Sequence, residues 1–290
     1  MIDTVDMGNL LKKIRLSKKL SLKDVAGDYL SVSFLSKFER GESEISLFRF
    51  FSLLENLDVS IEEFYGLVSK ENPTNTEELL ESVSKAFYQN NILALQKYLS
   101  TEVERYNKTG KKTFLYNSIM IESFLVNLTG NTIDKEKVRQ ISDYLFDIKQ
   151  WGKRELIIFG NSMAAIPTET LKILTKEIVY KTTLFGNNDS NKRIRISILI
   201  NTISEFLDRN DLDYSKIYID LLSEIEIPEI FLYERLEYNI VKGAYWIKVG
   251  KIEIGKRKIE MALESLKNLG AENLFLARES YYENLLNSII

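Results

Sequence analysis

Small hydroxyls and long cations share one face of a short predicted helix near the N-terminus. Val32, Ser33, Ser36, Lys37 and Arg40 fall on one side, and Leu35 and Phe38, at i, i+3, fall on the other. Small serines let a backbone come close to base edges, while Lys and Arg reach phosphates or guanine acceptors. The chemistry on offer is therefore recognition. His and Cys are both absent, which removes the commonest general base, the commonest metal ligand and all thiolate chemistry. No Gly-rich phosphate loop or recognisable carboxylate pair is present, so an enzyme is the weakest reading and no cofactor or metal is implied.

That face needs a scaffold, and residues 1–68 read as five short helices with strong punctuation. The first runs from about Gly8 to Lys19 with Leu11 and Ile14 inward. Ser21 caps a second, Leu22 to about Asp28, with Asp24 completing a capping box. Ser31 caps the third, Val32 to about Arg40, and Gly41 stops it. Ser46 caps an apolar fourth, and Ser60 with Glu63 opens a fifth carrying Phe64. Residues 1–40 hold eight Lys/Arg against five Asp/Glu, whereas residues 41–70 hold two against six. The basic half carries the candidate face, and non-specific DNA affinity should be weak and steeply salt-dependent. The pattern also fits a plain five-helix bundle with a solvated polar face.

The remainder predicts more helices. Only 3 Pro and 13 Gly interrupt 290 residues, 44% of them hydrophobic, which favours an all-α chain. The polar stretch 69–76, with Pro73, reads as a linker. In residues 77–290, breaks near Asn90-Asn91, Gly110, Gly130, Trp151-Gly152, Pro167, 186–189, Pro228, Gly250 and Gly270 suggest stacked helical hairpins, an α-solenoid. Gly243, Trp246, Gly255, Ile259 and Ala262 have the small–aromatic–small–large–Ala spacing of a tetratricopeptide pair, in which small residues allow helices to cross closely. A generic helical bundle is the alternative. The final helix, Ala271 to Ile290, is apolar enough to require burial as a solenoid cap with a share in a dimer interface. The acidic N-terminus lacks a signal-peptide core and no apolar run reaches membrane length, so a cytoplasmic protein is expected.

The run from Leu30 through Phe38-Glu39-Arg40-Gly41 to Glu44-Ile45-Ser46 resembles the Rgg (Rgg/GadR/MutR) regulators of low-GC Gram-positive bacteria. So does Leu11-Lys12-Lys13-Ile14-Arg15 leading to Lys19-Leu20-Ser21, and, more distantly, Trp151 with Arg154-Glu155-Leu156. The Phe-Glu-Arg-Gly portion is shared with the wider Cro/phage-repressor class. The close match covers about the first quarter of the chain. The resemblance implies a homodimeric transcription regulator that binds double-stranded promoter DNA and takes a short signalling peptide on the concave face of a tetratricopeptide-like domain. It implies that Glu39 pairs with Arg15, and that Arg15, Ser31, Ser33, Ser36, Lys37 and Arg40 form the DNA-contacting set. Some relatives carry a disulfide-forming Cys at the start of the fourth helix; this chain has Leu47 there, so no covalent link is available.

A bound peptide needs its backbone groups satisfied, and Asn both donates and accepts. Asn161, Asn201, Asn239 and Asn284 are candidates, with Tyr281 beside the last and Arg154 for a peptide carboxylate. Asn in a helical repeat is also commonly a surface or interhelical residue. Two rival readings share the DNA-domain features: a constitutive dimeric repressor without a peptide, and a helical-repeat adaptor acting through protein contacts. The expected switch is the relative placement of two DNA-binding domains on the 69–76 linkers.

Overall fold

The computed structural model describes residues 4–71, 75–182 and 189–288, and all regular structure among them is helical. In chain order the helices are α1 (Thr4–Ser17), α2 (Leu22–Ala26), α3 (Val32–Glu39), α4 (Leu47–Asn56), α5 (Ile61–Glu71), α6 (Asn75–Tyr88), α7 (Ile92–Thr109) and α8 (Lys112–Thr129). They continue as α9 (Lys135–Asp147), α10 (Lys153–Gly160), a 3-10 turn (Met163–Ala165), α11 (Thr168–Lys181), α12 (Asp189–Asp208), α13 (Leu212–Glu224), α14 (Leu232–Lys248), α15 (Ile252–Asn268) and α16 (Glu272–Asn287). The chain divides into two compact units, Met1–Ser82 and Val83–Ile290.

The first unit closes on Leu11, Ile14, Val25, Ala26, Leu35, Phe38, Phe50, Leu53, Leu57 and Phe64. Its ends are set locally. Ser21 accepts from the Asp24 amide while Asp24 accepts from the Ser21 amide, and Ser60 and Glu63 make the same reciprocal pair. Ser31 and Ser46 cap α3 and α4, and Gly41 follows α3 at φ 72°. The helices start and stop within three to four residues of their expected limits.

The second unit is built from antiparallel pairs, α7 with α8, α12 with α13 and α14 with α15. The last shows why glycine is required. A Cβ on Gly255 would lie 2.4 Å from the Gly243 carbonyl oxygen, and one on Gly243 would lie 2.8 Å from that of Gly255. The two backbones touch, and buried Ile259 and Ala262 fill the flanks. Trp151 is fully buried, its indole N–H donating to the Leu145 carbonyl and its amide to that of Lys181.

At two places the helices differ from expectation. Within the 69–76 stretch read as a linker, α5 continues through Glu71 and α6 begins at Asn75, with 72–74 outside the described residues, and the compact units divide after Ser82. A break at 209–211 separates α12 from α13, where Asn210 adopts φ 59° and Asp211 caps α13; Asn takes the left-handed position that Gly marks elsewhere. In the final helix Tyr282 and Leu285 are buried, Leu274, Phe275, Tyr281 and Leu286 are half-buried, and Leu276 is 53% exposed; residues 289–290 of its expected end and 186–188 of the expected 186–189 break lie outside the described residues.

Candidate functional site

Two sites emerge, one in each unit. The first is the outer face of α3. Leu35, Phe38 and Glu39 turn inward, so Ser33 and Lys37 are exposed and Ser36 half-buried. Ser31 is exposed, but its hydroxyl is engaged as the N-cap, accepting from the Phe34 amide at 3.1 Å. Arg40 donates to Ser36 Oγ at 2.6 Å and forks onto both oxygens of Glu42 at 2.7 Å each. Those hydrogen bonds hold the Glu42 carboxyl below its ordinary value. The pair is about half exposed on both sides, so it is weak and can open when a phosphate competes for the guanidinium.

Arg15 is placed differently. It is 7% exposed and donates Nε and Nη2 to the two Glu39 oxygens at 2.6 and 2.8 Å, and Nη1 to the Leu20 carbonyl at 3.0 Å. The pair ties α1 to the end of α3, and the Glu39 hydrogen bond raises the Arg15 pKa. With its N–H donors turned into the fold, Arg15 positions the recognition face from behind. Gly8 does so too: a Cβ there would lie 2.0 Å from the Phe38 carbonyl oxygen, so α1 and α3 are in backbone contact. Nothing in local spacing distinguishes Gly8, since the reason for it lies thirty residues along the chain.

The second site is a cavity of about 530 Å³ within the second unit. The C-terminal end of α6, then α8, α10, the 3-10 turn, α12 and α16 converge on it. Of the six expected ligand residues, Asn161, Asn201 and Tyr281 line it, whereas Arg154, Asn239 and Asn284 do not. Arg154 instead lies within electrostatic reach of Tyr116 and Tyr144, Asn239 is half-buried in α14, and Asn284 is exposed on α16. The Asn161 amide donates to the Ile157 carbonyl at 2.8 Å, which leaves its oxygen and second N–H. The Tyr281 hydroxyl is buried and forms no well-shaped hydrogen bond; burial and nearby Asp208 raise its pKa.

The wall also contains Asn127, Ser204, Glu205, Asp208 and Arg278. Asn201, Ser204, Glu205 and Asp208 recur at i, i+3, i+4 and i+7, a polar stripe along the C-terminal half of α12, where most other residues are apolar. That stripe was available in the sequence as a signal. Arg278 is held by Glu237, with contacts of 2.6 and 2.8 Å.

An exposed serine- and lysine-bearing helix, capped by serine, buttressed by a buried Arg–Glu pair and followed in the chain by helical repeats around a cavity, defines a helix-turn-helix transcription regulator. Residues 11–64 match the helix-turn-helix family, and residues 94–280 match the C-terminal domain of the HTH-type transcriptional regulator Rgg. The SHP pheromone receptor Rgg2 of Streptococcus dysgalactiae is similar at 32% identity over 96% of this chain and 99% of that one, with a TM-score of 0.75. The chain belongs to the Rgg family. The fold is shared with a putative transcriptional regulator from Listeria monocytogenes EGD-e (21% identity, 98% of each chain, TM-score 0.82) and with PrgX in its cCF10 complex (19% identity, 98% of this chain and 100% of that one, TM-score 0.72). Among the described residues no helix is long and apolar enough to cross a membrane.

Proposed function

We propose that this regulator works in the cytoplasm as a homodimer, reads operator DNA with α3, and is controlled by a short signalling peptide held in the α6–α8–α10–α12–α16 cavity. Ser33, Ser36 and Lys37 meet base edges and Arg40 meets phosphate after leaving Glu42, while Ser31 fixes the helix start and Arg15 acts through the scaffold. The observation that carries the reading is the cavity itself. It is large, lined by amides that can satisfy a peptide backbone, and assembled from helices far apart in sequence, so an occupant bears on all of them at once. Rgg2 is described as a pheromone receptor and PrgX was solved with cCF10, which supports the same use here.

A peptide can shift the regulator only by binding one of its states better than another. The test is binding of the purified protein to its own upstream region, across a salt series, with and without a short-peptide extract of the same cells. Specific binding that changes with the extract is expected. Specific binding indifferent to every peptide would leave a constitutive dimeric repressor. No specific binding even at low salt would leave the helical repeats as an adaptor.

A further inference from the structure

We propose that the cavity selects peptides carrying a protonated amine, which the Asp208 carboxylate receives. The inference rests on the peptide-binding reading above and names the chemistry of the ligand. Its ground is the charge inventory of the wall. Among the described residues three charged side chains line the cavity: Glu205, Asp208 and Arg278. Glu205 is taken by Arg209, just past the end of its helix, at 2.8 Å. Arg278, reaching in from α16, is neutralised by both oxygens of Glu237. Asp208 is left over, with no ion pair or hydrogen bond among the described residues.

The groups that act on Asp208 from the surrounding elements are Glu205 of α12, Arg209 just past its end, Lys248 of α14 and Tyr281 of α16. Lys248 favours its charge from a distance without forming an ion pair. Asp208 is exposed to solvent at the cavity mouth, and partial desolvation by the surrounding wall, with Glu205 second, pushes its pKa up to about 6. An unpaired carboxylate at a cleft mouth is favoured in its charged form by a cation that settles beside it.

The neutral groups fit the same ligand. An ammonium carries three donors and no acceptor. The wall offers it the Asp208 carboxylate, the Tyr281 hydroxyl oxygen, which has no well-formed partner, and the Asn201 amide oxygen. A peptide carboxylate finds no free cation among the described residues of the wall, because the Arg278 guanidinium is already held by Glu237. The amine can come from a peptide N-terminus or from a lysine side chain.

Four pools of short randomised peptides separate these sources: free N-terminus without Lys or Arg, N-acetylated with Lys, N-acetylated with neither, and free N-terminus with Lys. Each is passed over immobilised full-length protein at neutral pH, and the retained peptides are weighed by mass spectrometry. The pool without an amine should be retained about tenfold less than at least one amine-bearing pool. Asp208→Asn should abolish that preference, and Asp208→Glu, which keeps the charge, should retain most of it. Equal retention of the amine-free pool, or a preference unchanged in Asp208→Asn, overturns the amine assignment and leaves peptide binding standing. No retention of any pool overturns both. If Asp208→Asn fails to fold, the comparison of pools on the wild-type protein still decides.

Discussion

The first unit gathers its candidate DNA-facing side chains on α3 and its two flanking residues, Ser31 and Arg40, whereas the cavity of the second unit gathers its wall from residues as far apart as Ser84 and Tyr281. In the first, recognition and scaffold sit back to back. Ser33 and Lys37 look out, and Glu39, on the same helix, is clamped by Arg15. In the second, no single helix holds the site, and apolar crossings such as Gly243 on Gly255 set the positions of groups they never touch. Damage should therefore be abrupt in the first unit and graded in the second.

The largest expected effect is that of Arg15→Ala. It leaves the Glu39 carboxylate buried without its partner, a loss of about 3–5 kcal/mol. Chemical denaturation should show the first unit unfolding early and DNA binding disappearing, although no DNA-facing atom has changed. Near-native stability would mean that the pair is not the buttress. Gly255→Ala comes next, at about 1–3 kcal/mol, because its Cβ would strike the Gly243 carbonyl and the Ile247 backbone. Here the loss should appear in the melting of the second unit.

Ser36→Glu should leave stability intact, since a carboxylate at that position can pair with Arg40 one turn on. Specific DNA affinity should still fall by about tenfold or more, because the new charge repels phosphate and occupies the arginine. Unchanged affinity in a mobility-shift titration would remove α3 from the interface. The smallest effect belongs to Asp208→Asn. The raised Asp208 pKa means that its ionisation opposes folding, with the penalty complete above about pH 6 and relieved as pH falls toward the ordinary carboxylate range. The variant should thus melt slightly higher than wild type near neutrality and identically in acid. Cavity water screens the charge, so the difference should be small.

Legibility in the sequence follows the same division. Ser21 with Asp24, Ser31, Ser46, and Ser60 with Glu63 announce helix starts because caps act over three residues. The Gly243–Ala262 spacing was readable because one hairpin contains both partners of the crossing. Asn210 hid a break because a lone Asn permits the left-handed backbone that ends a helix but, unlike Gly, does not single it out. Pro73 suggested a linker, yet it lies outside the described residues and helices reach 71 and resume at 75. Asn239 and Asn284 share a chemistry with Asn161 and Asn201, so residue type alone could not sort them; only the convergence of the helices does. Arg278 went unnoticed because its role depends on Glu237, forty-one residues earlier.

The central claim is that a peptide in the cavity and DNA on α3 bias one equilibrium, and coupling between two sites is reciprocal. The most direct measurement is operator affinity with and without a cavity-binding peptide, paired with peptide affinity with and without operator, on wild type and on Asn201→Ala. The account predicts the same factor in both directions for wild type, with weakened peptide binding in the variant and unaltered DNA binding in its free form. Peptide binding that leaves operator affinity untouched, or an effect unchanged in the cavity variant, would contradict it.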